Sequence, residues 1–231
     1  MAIDTLKFNS SEFKFNGSID DSKSIVNRLL IVQSHYKNLK LNFTSEADDV
    51  LYLQQALRDL EQGQYEFDLG AGGTSLRFFL GRLSRQPGRY IVRAHAKLLS
   101  RPQRDLYQAL EQLGTLVTSI PNGLSVNSLG WKDASSVKVK SDLSSQFASS
   151  ILINSWNLDR PFTIDTGKTV ASKSFLELTQ TLCQRLGMKF KVDSGQILIE
   201  ESQRVTVKKL DAEVDASSLF TLACFALLYG E

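Results

Sequence analysis

Apolar residues recur at two different spacings along this chain, and the spacing switches back and forth. Segments with an apolar residue every three or four positions predict helices over 24–35, 48–61, 74–84, 101–113, 144–156, 172–186 and 217–229. Short runs that alternate apolar and polar residues predict strands at 6–8, 39–43, 65–69, 90–94, 116–120, 137–140, 188–192, 197–200 and 205–207. The two kinds of segment trade places from one end to the other, so the predicted fold class is α/β.

The ends of these segments repeat as well. LRDLEQG ends at Gly63, LEQLG at Gly114 and LCQRLG at Gly187, each just before an extended segment. Glycine suits the left-handed position past a helix because it has no Cβ to clash. Three other helices open on small polar or glycine-rich residues: SKS at 22–24, GGT at 72–74 and SSQ at 144–146. A helix N-terminus presents unpartnered N–H groups and a partial positive charge, so hydroxyls, glycines and a lysine there suit a phosphate or a carboxylate. One such opening is ordinary capping; three of them, each with a base nearby, point to anion binding. Lys23 enters its helix beside Ser24, and Arg28 follows one turn on along the same face, so both could meet one anion. In LGAGGTSLRFF, Gly70, Gly72 and Gly73 let the backbone approach a ligand closely, with Arg77 next on the helix.

Composition narrows the class without changing it. The 231 residues are 42% hydrophobic and 23% charged, with a net charge of +2, which excludes disordered, collagen-like and coiled-coil chains and allows one large domain or two small ones. Cys183 and Cys224 fall inside apolar runs, where they read as small buried hydrophobes, in keeping with a reducing cytoplasm. Together with His35 and His95 they cannot assemble a zinc spacing, and no metal or cofactor is expected. Neither a basic-then-apolar leader nor a membrane-length apolar run is present in the sequence, so no membrane partner is expected.

Charge is uneven where the whole is nearly balanced. Between 69 and 104 there is no acidic residue, while Arg77, Arg82, Arg85, Arg89, Arg93, Lys97, Arg101 and Arg104 all fall there. Without interleaved aromatics or a reading motif, a small anionic ligand explains the stretch better than nucleic acid. Arg101 stands out because Pro102 suits a first helical position and arginine binds phosphate bidentately. GKT at 167–169 is not a phosphate loop: Phe162 occupies the place where that loop needs its first glycine.

Taken in order, the motifs resemble the 5-enolpyruvylshikimate-3-phosphate synthase family. SKSIVNR is similar to the family's SKSxxNR, EADD to its paired acids, LGAGGTSLR to LGNAGTxxR, and SRPQRDLYQALEQLG to RPxxxLxxxLxxLG. SSQFASSIL, VASKSFLELTQTLCQRLG and EVDASSLFTLACFAL resemble SSQF, SxPYIDxTLxxMxxFG and EGDxSSAxYFLAAxA. The resemblance implies repeated βαβαββ units forming one domain of the enolpyruvyl transferase fold, an inside-out α/β barrel whose helices aim their N-termini into a cleft. It also implies a carboxyvinyl transfer in aromatic amino-acid biosynthesis: the 5-hydroxyl of shikimate 3-phosphate adds to C2 of phosphoenolpyruvate, and phosphate leaves the tetrahedral ketal. By position, Ser144, Ser145 and Ser172 would hold the phosphate of shikimate 3-phosphate, with Arg28 and Ser24 on its carboxylate side and Phe175 against its ring. Lys23, Gly73, Arg101 and Gln146 would hold phosphoenolpyruvate, Lys23 as proton donor and Arg101 against the departing phosphate.

The chain also departs from the family pattern. Ala71 stands in place of asparagine, Asp21 and Val214 in place of glycines, Ser174 and Glu177 in place of proline and aspartate, and Phe175 in place of a tyrosine whose ring face it keeps. Members are roughly twice as long, and the resemblance covers the first of their two domains. It implies leading strands of the second domain at 1–20, a shikimate-3-phosphate-binding domain at 21–212 and the start of the second domain at 213–231. The general base would lie after residue 231, so this chain alone is expected to bind rather than turn over. The competing expectation is a non-catalytic binding domain or scaffold. The apolar run at its end is expected to meet the other half or a second copy.

Overall fold

The computed structural model describes residues 14–131 and 133–229. Its chain opens with α1 (Lys23–His35), β1 (Lys40–Asn42) and α2 (Asp48–Glu61). A βαβαββ unit follows, made of β2 (Glu66–Asp68), α3 (Gly73–Leu83), β3 (Gly88–Arg93), the single turn α4 (Ala96–Leu99), α5 (Arg104–Gln112), β4 (Thr115–Ile120) and β5 (Gly123–Ser128). A second unit repeats it with β6 (Ser136–Lys138), α6 (Ser145–Ile153), β7 (Phe162–Asp165), α7 (Lys173–Arg185), β8 (Phe190–Asp193) and β9 (Gln196–Ile199). β10 (Lys209–Asp211) and α8 (Ala216–Tyr229) complete the described chain.

The two units pair their strands identically. β2 runs parallel to β3, which is antiparallel to β5, which is antiparallel to β4; β6, β7, β9 and β8 follow the same order. A third sheet joins distant segments, β1 running parallel to β10 with Leu41 opposite Leu210. Together with α1 and α2 it makes a partial third unit.

Helices α1, α3 and α6 pack against one another at the centre, and their sequences show why. Every residue from Ile25 to Val32 is buried, as are Leu76 to Gly81 and Phe147 to Ile153, so these helices are buried on all faces and mostly apolar or small, with Asn27, Arg28 and Arg77 as the exceptions. A Cβ on Gly81 would lie 2.4 Å from Ser150 Oγ and 2.7 Å from Asn154 Nδ2, so only glycine lets α3 and α6 approach this closely. Ser150 Oγ also donates to the Arg77 carbonyl at 2.7 Å, which ties the two helices together. The outer helices are amphipathic instead. α2 buries Val50, Leu53, Ala56 and Leu60, while α7 buries Leu176, Thr179, Leu182 and Cys183.

Gly63, Gly114 and Gly187 take φ of 78°, 83° and 105° just past α2, α5 and α7, as their sequence positions predict. Three expectations need correcting. The helix predicted from 101 begins at Arg104, because the backbone around Pro102 separates the turn α4 from α5. The run at 205–207 forms no strand; pairing falls at Lys209–Asp211. β5 and β7, middle strands of their sheets, were not predicted. The strand predicted at 6–8 lies outside the described residues. No helix among the described residues is long and apolar enough to cross a membrane.

Candidate functional site

The N-termini of α1, α3 and α6 converge at one end of the core. Beside them opens a cleft of about 950 Å³ whose lining includes Lys23, Gly73, Thr74, Arg77, Arg101 and Gln146, with Asp49, Tyr52 and Asp68 on the α2 and β2 side. Gly72 draws α2 against the mouth of α3: a Cβ there would fall 2.5 Å from Asp49 Cβ and 2.2 Å from Ser75 Oγ. Asp49 is thereby placed beside α1. Its Oδ2 accepts from Asn27 Nδ2 at 3.5 Å and lies 3.8 Å from Lys23 Nζ, whose side chain is 61% exposed and leads into the cleft.

Two guanidinium groups meet over Gly73. A Cβ on that residue would lie 3.3 Å from Arg101 Nη1 and 3.9 Å from Arg77 Nη1. Arg77 is largely buried: Nε donates to Gln103 Oε1 at 2.9 Å, Nη1 donates to Gln146 Oε1, and the group sits 5.3 Å from the centre of the Phe147 ring. Gln146 Nε2 in turn donates to Thr74 Oγ1 at 2.9 Å. Burial, and then the neighbouring Arg101, push the pKa of Arg77 down. Among the described residues, neither arginine has a carboxylate partner.

The openings of α6 and α7 lie side by side. Ser141 and Val170 form a parallel bridge, with Ala171 N donating to the Ser141 carbonyl at 2.8 Å, and Thr179 Oγ1 donates to Ser149 Oγ at 2.9 Å. Ser144 caps α6 by accepting from Gln146 N at 3.3 Å, while Ser145 is buried behind it. Ser172 precedes α7 in a left-handed conformation, φ 50°, that serine rarely adopts, and its side chain makes no cap. Phe175, in the first turn, is 46% exposed.

The structure therefore brings Lys23, Gly73, Arg101 and Gln146 onto one cleft, and sets Ser144 and Ser145 beside the segment carrying Ser172 and Phe175. Ser24 stays at the mouth of α1. Arg28 does not join them. Only 1% exposed, it crosses to α7: Nε donates to Thr179 Oγ1 at 2.7 Å, Nη2 to the Phe175 carbonyl at 3.2 Å, and Nη1 to the Ser24 carbonyl at 2.6 Å. Burial lowers its pKa to about 10. It faces α7 along the very side it shares with Ser24.

Sequence reasoning passed over Asp49 and Gln103 as parts of the site. Asp49 belongs to EADD and Gln103 to RPQ, so both were in view, but nothing in the spacing shows that each faces another helix's mouth. Of the cationic stretch, Arg77, Arg93 and Arg101 line the cleft, whereas Arg82 and Arg85 lie at the other end of the core.

Repeated βαβαββ units with a basic cleft at converging helix mouths define the enolpyruvyl transferase fold. A solved structure of EPSP synthase from Acinetobacter baumannii superposes with a TM-score of 0.68 at 17% identity, covering 93% of this chain and 53% of that one. A family model described as EPSP synthase (3-phosphoshikimate 1-carboxyvinyltransferase) matches residues 29–231, and the chain belongs to that family. A 3-phosphoshikimate 1-carboxyvinyltransferase of Shewanella woodyi is 28% identical over 93% of this chain and 57% of its own length. One from Bacteroides fragilis is 26% identical over 90% of this chain and 51% of its own. The chain thus spans little more than half the length of these relatives.

Proposed function

We propose that this chain is the shikimate-3-phosphate-binding domain of a 3-phosphoshikimate 1-carboxyvinyltransferase. In this reading the 5-hydroxyl oxygen of shikimate 3-phosphate bonds to C2 of phosphoenolpyruvate as its own proton passes to a base of the second domain, while C3 takes a proton and the C2–C3 double bond becomes single. Loss of phosphate from C2 and of a proton from C3 then restores the double bond. Ser144, Ser145 and Ser172 hold the phosphate of shikimate 3-phosphate, Ser24 serves the carboxylate side with Arg28 buried behind it and fixed to α7, and Phe175 offers its exposed face to the ring. Lys23 donates the proton, and Arg101, with Gly73 and Gln146, receives the phosphate of phosphoenolpyruvate. The observation that carries this is the pair of guanidiniums over Gly73, at a helix N-terminus, with no carboxylate among the described residues to answer them.

The division of the chain belongs to the same proposal: 21–212 form this domain, while 1–20 and 213–231 belong to a second. Two crossings support it. Ser22 N donates to the Glu213 carbonyl at 2.8 Å and Asp215 N to the Asp20 carbonyl at 3.0 Å, so the two segments cross the proposed boundary side by side. Beyond them α8 is almost wholly apolar and buries none of its residues, as a surface awaiting the second domain would. A cytoplasmic setting goes with this reading, since both cysteines are free and burial pushes the Cys183 thiol up to about 12.

Calorimetric titration of the chain with shikimate 3-phosphate and phosphoenolpyruvate, and phosphate release with and without a second domain supplied in trans, test the proposal. Saturable binding of shikimate 3-phosphate, with release only when the second domain is added, is expected. Absence of binding to either substrate would refute it.

A further inference from the structure

We infer that Gln103 is a positioning residue that holds Arg77 without neutralising it, and that its being an amide sets how strongly the cleft binds an anion. This deepens the reading above and rests on it. Gln103 stands just before α5 and is 4% exposed. Its Oε1 accepts from Arg77 Nε at 2.9 Å, while Gln146 Oε1 accepts from Nη1 on the other side, so both partners of a buried cation are neutral amides. Buried arginines are ordinarily paired with a carboxylate. Here the geometry of the guanidinium is fixed and its charge is left uncancelled, with Arg101 adding a second charge across Gly73.

A further detail argues that the amide is not there for stability. Gln103 Nε2 is buried with no acceptor among the described residues, a cost the amide bears without giving Arg77 a counter-ion; glutamate would bury an oxygen at the same place but would supply that counter-ion. The fold would gain from Gln103→Glu, whereas an incoming anion would lose, because a resident carboxylate would compete for the same guanidinium. The amide leaves that role to the ligand, which enters from the cleft that Arg77 and Arg101 both line.

The test is Gln103→Glu, titrated with sulfate, a tetrahedral dianion whose charge is constant near neutral pH, alongside thermal unfolding without sulfate. The unfolding midpoint should hold or rise while sulfate affinity falls about tenfold, the two moving in opposite directions. Gln103→Met, which removes the hydrogen bond but adds no charge, should lower the midpoint and change sulfate affinity less than about threefold. A Gln103→Glu variant that binds sulfate as the parent does, or that loses stability and affinity together, overturns the inference. Failure of the parent chain to bind sulfate, or binding that survives Arg101→Ala unchanged, would instead overturn the anion-site reading beneath it.

Discussion

The three central helices present opposite chemistry at their two ends, although arginines from one stretch of sequence supply both. At the N-terminal end Arg77 and Arg101 stand over Gly73 beside an open cleft. At the C-terminal end Arg85 donates to the carbonyls of Asn154 and Trp156 and lies 4.9 Å from the centre of the Trp131 ring, while Arg82 Nε donates to Ser34 Oγ at 2.9 Å. A cavity of about 590 Å³ opens there too, but its Lys37 is paired with Glu61 and its Arg82 is held by Ser34 and Gln86. Helix polarity explains the contrast. Helices end in orphan carbonyls, which accept from arginine, and begin in orphan N–H groups, which do not. Cations at the C-terminal end are satisfied by the fold; at the N-terminal end Arg77 and Arg101 have no carboxylate partner among the described residues.

The contrast breaks most visibly at the sealed end. Arg85→Ala strands two carbonyls and removes the group lying over Trp131, and should cost about 3 kcal/mol in urea unfolding while leaving sulfate binding within about twofold. Arg101→Ala should do the reverse: phosphoenolpyruvate affinity down about a hundredfold by calorimetry, shikimate 3-phosphate affinity little changed, and unfolding free energy within about 0.5 kcal/mol. Equal losses for the two ligands would remove Arg101 from its assigned role.

Acid separates the ends next. Burial, and then Arg82, lower the pKa of His35 from 6.5 to about 3, and its Nε2 donates to Asn154 Oδ1 at 2.9 Å. The unfolded chain takes up this proton below pH 6.5 and the folded chain only near pH 3, so the stabilisation is complete above pH 6.5 and is lost as pH falls toward 3. At pH 5 the loss should reach about 2 kcal/mol. His35→Gln should flatten that part of the stability profile.

Much of this arrangement is legible in the sequence because it is local chemistry. Gly63, Gly114 and Gly187 announce helix ends, and SKS, GGT and SSQ announce three mouths, through backbone rules that act within a few residues. What escapes depends on partners far along the chain. Arg28 does share a face with Ser24, as the spacing predicts, but only the packing of α7 against that face shows that Phe175 and Thr179 take its hydrogen bonds. Charge density over 69–104 likewise cannot tell Arg77 from Arg82, five residues on and facing the other end of the core. β5 carried a usable signal: Asn122, with φ 57°, precedes Gly123 in a tight turn between two alternating runs. β7 carried a signal as well: FTID alternates apolar and polar residues over the same length as the run predicted at 197–200.

The third sheet has a consequence in time. β1 has its pairing partner at Lys209–Asp211, whereas the two βαβαββ units each find all their strand partners within one contiguous stretch. During synthesis those units can form as their own residues emerge, but β1 waits for nearly the whole described chain before its backbone is paired. α1, which carries Lys23 and leads into β1, gains that anchor last. The wall of the cleft that carries Lys23 is thus anchored only after both βαβαββ units have had their chance to form.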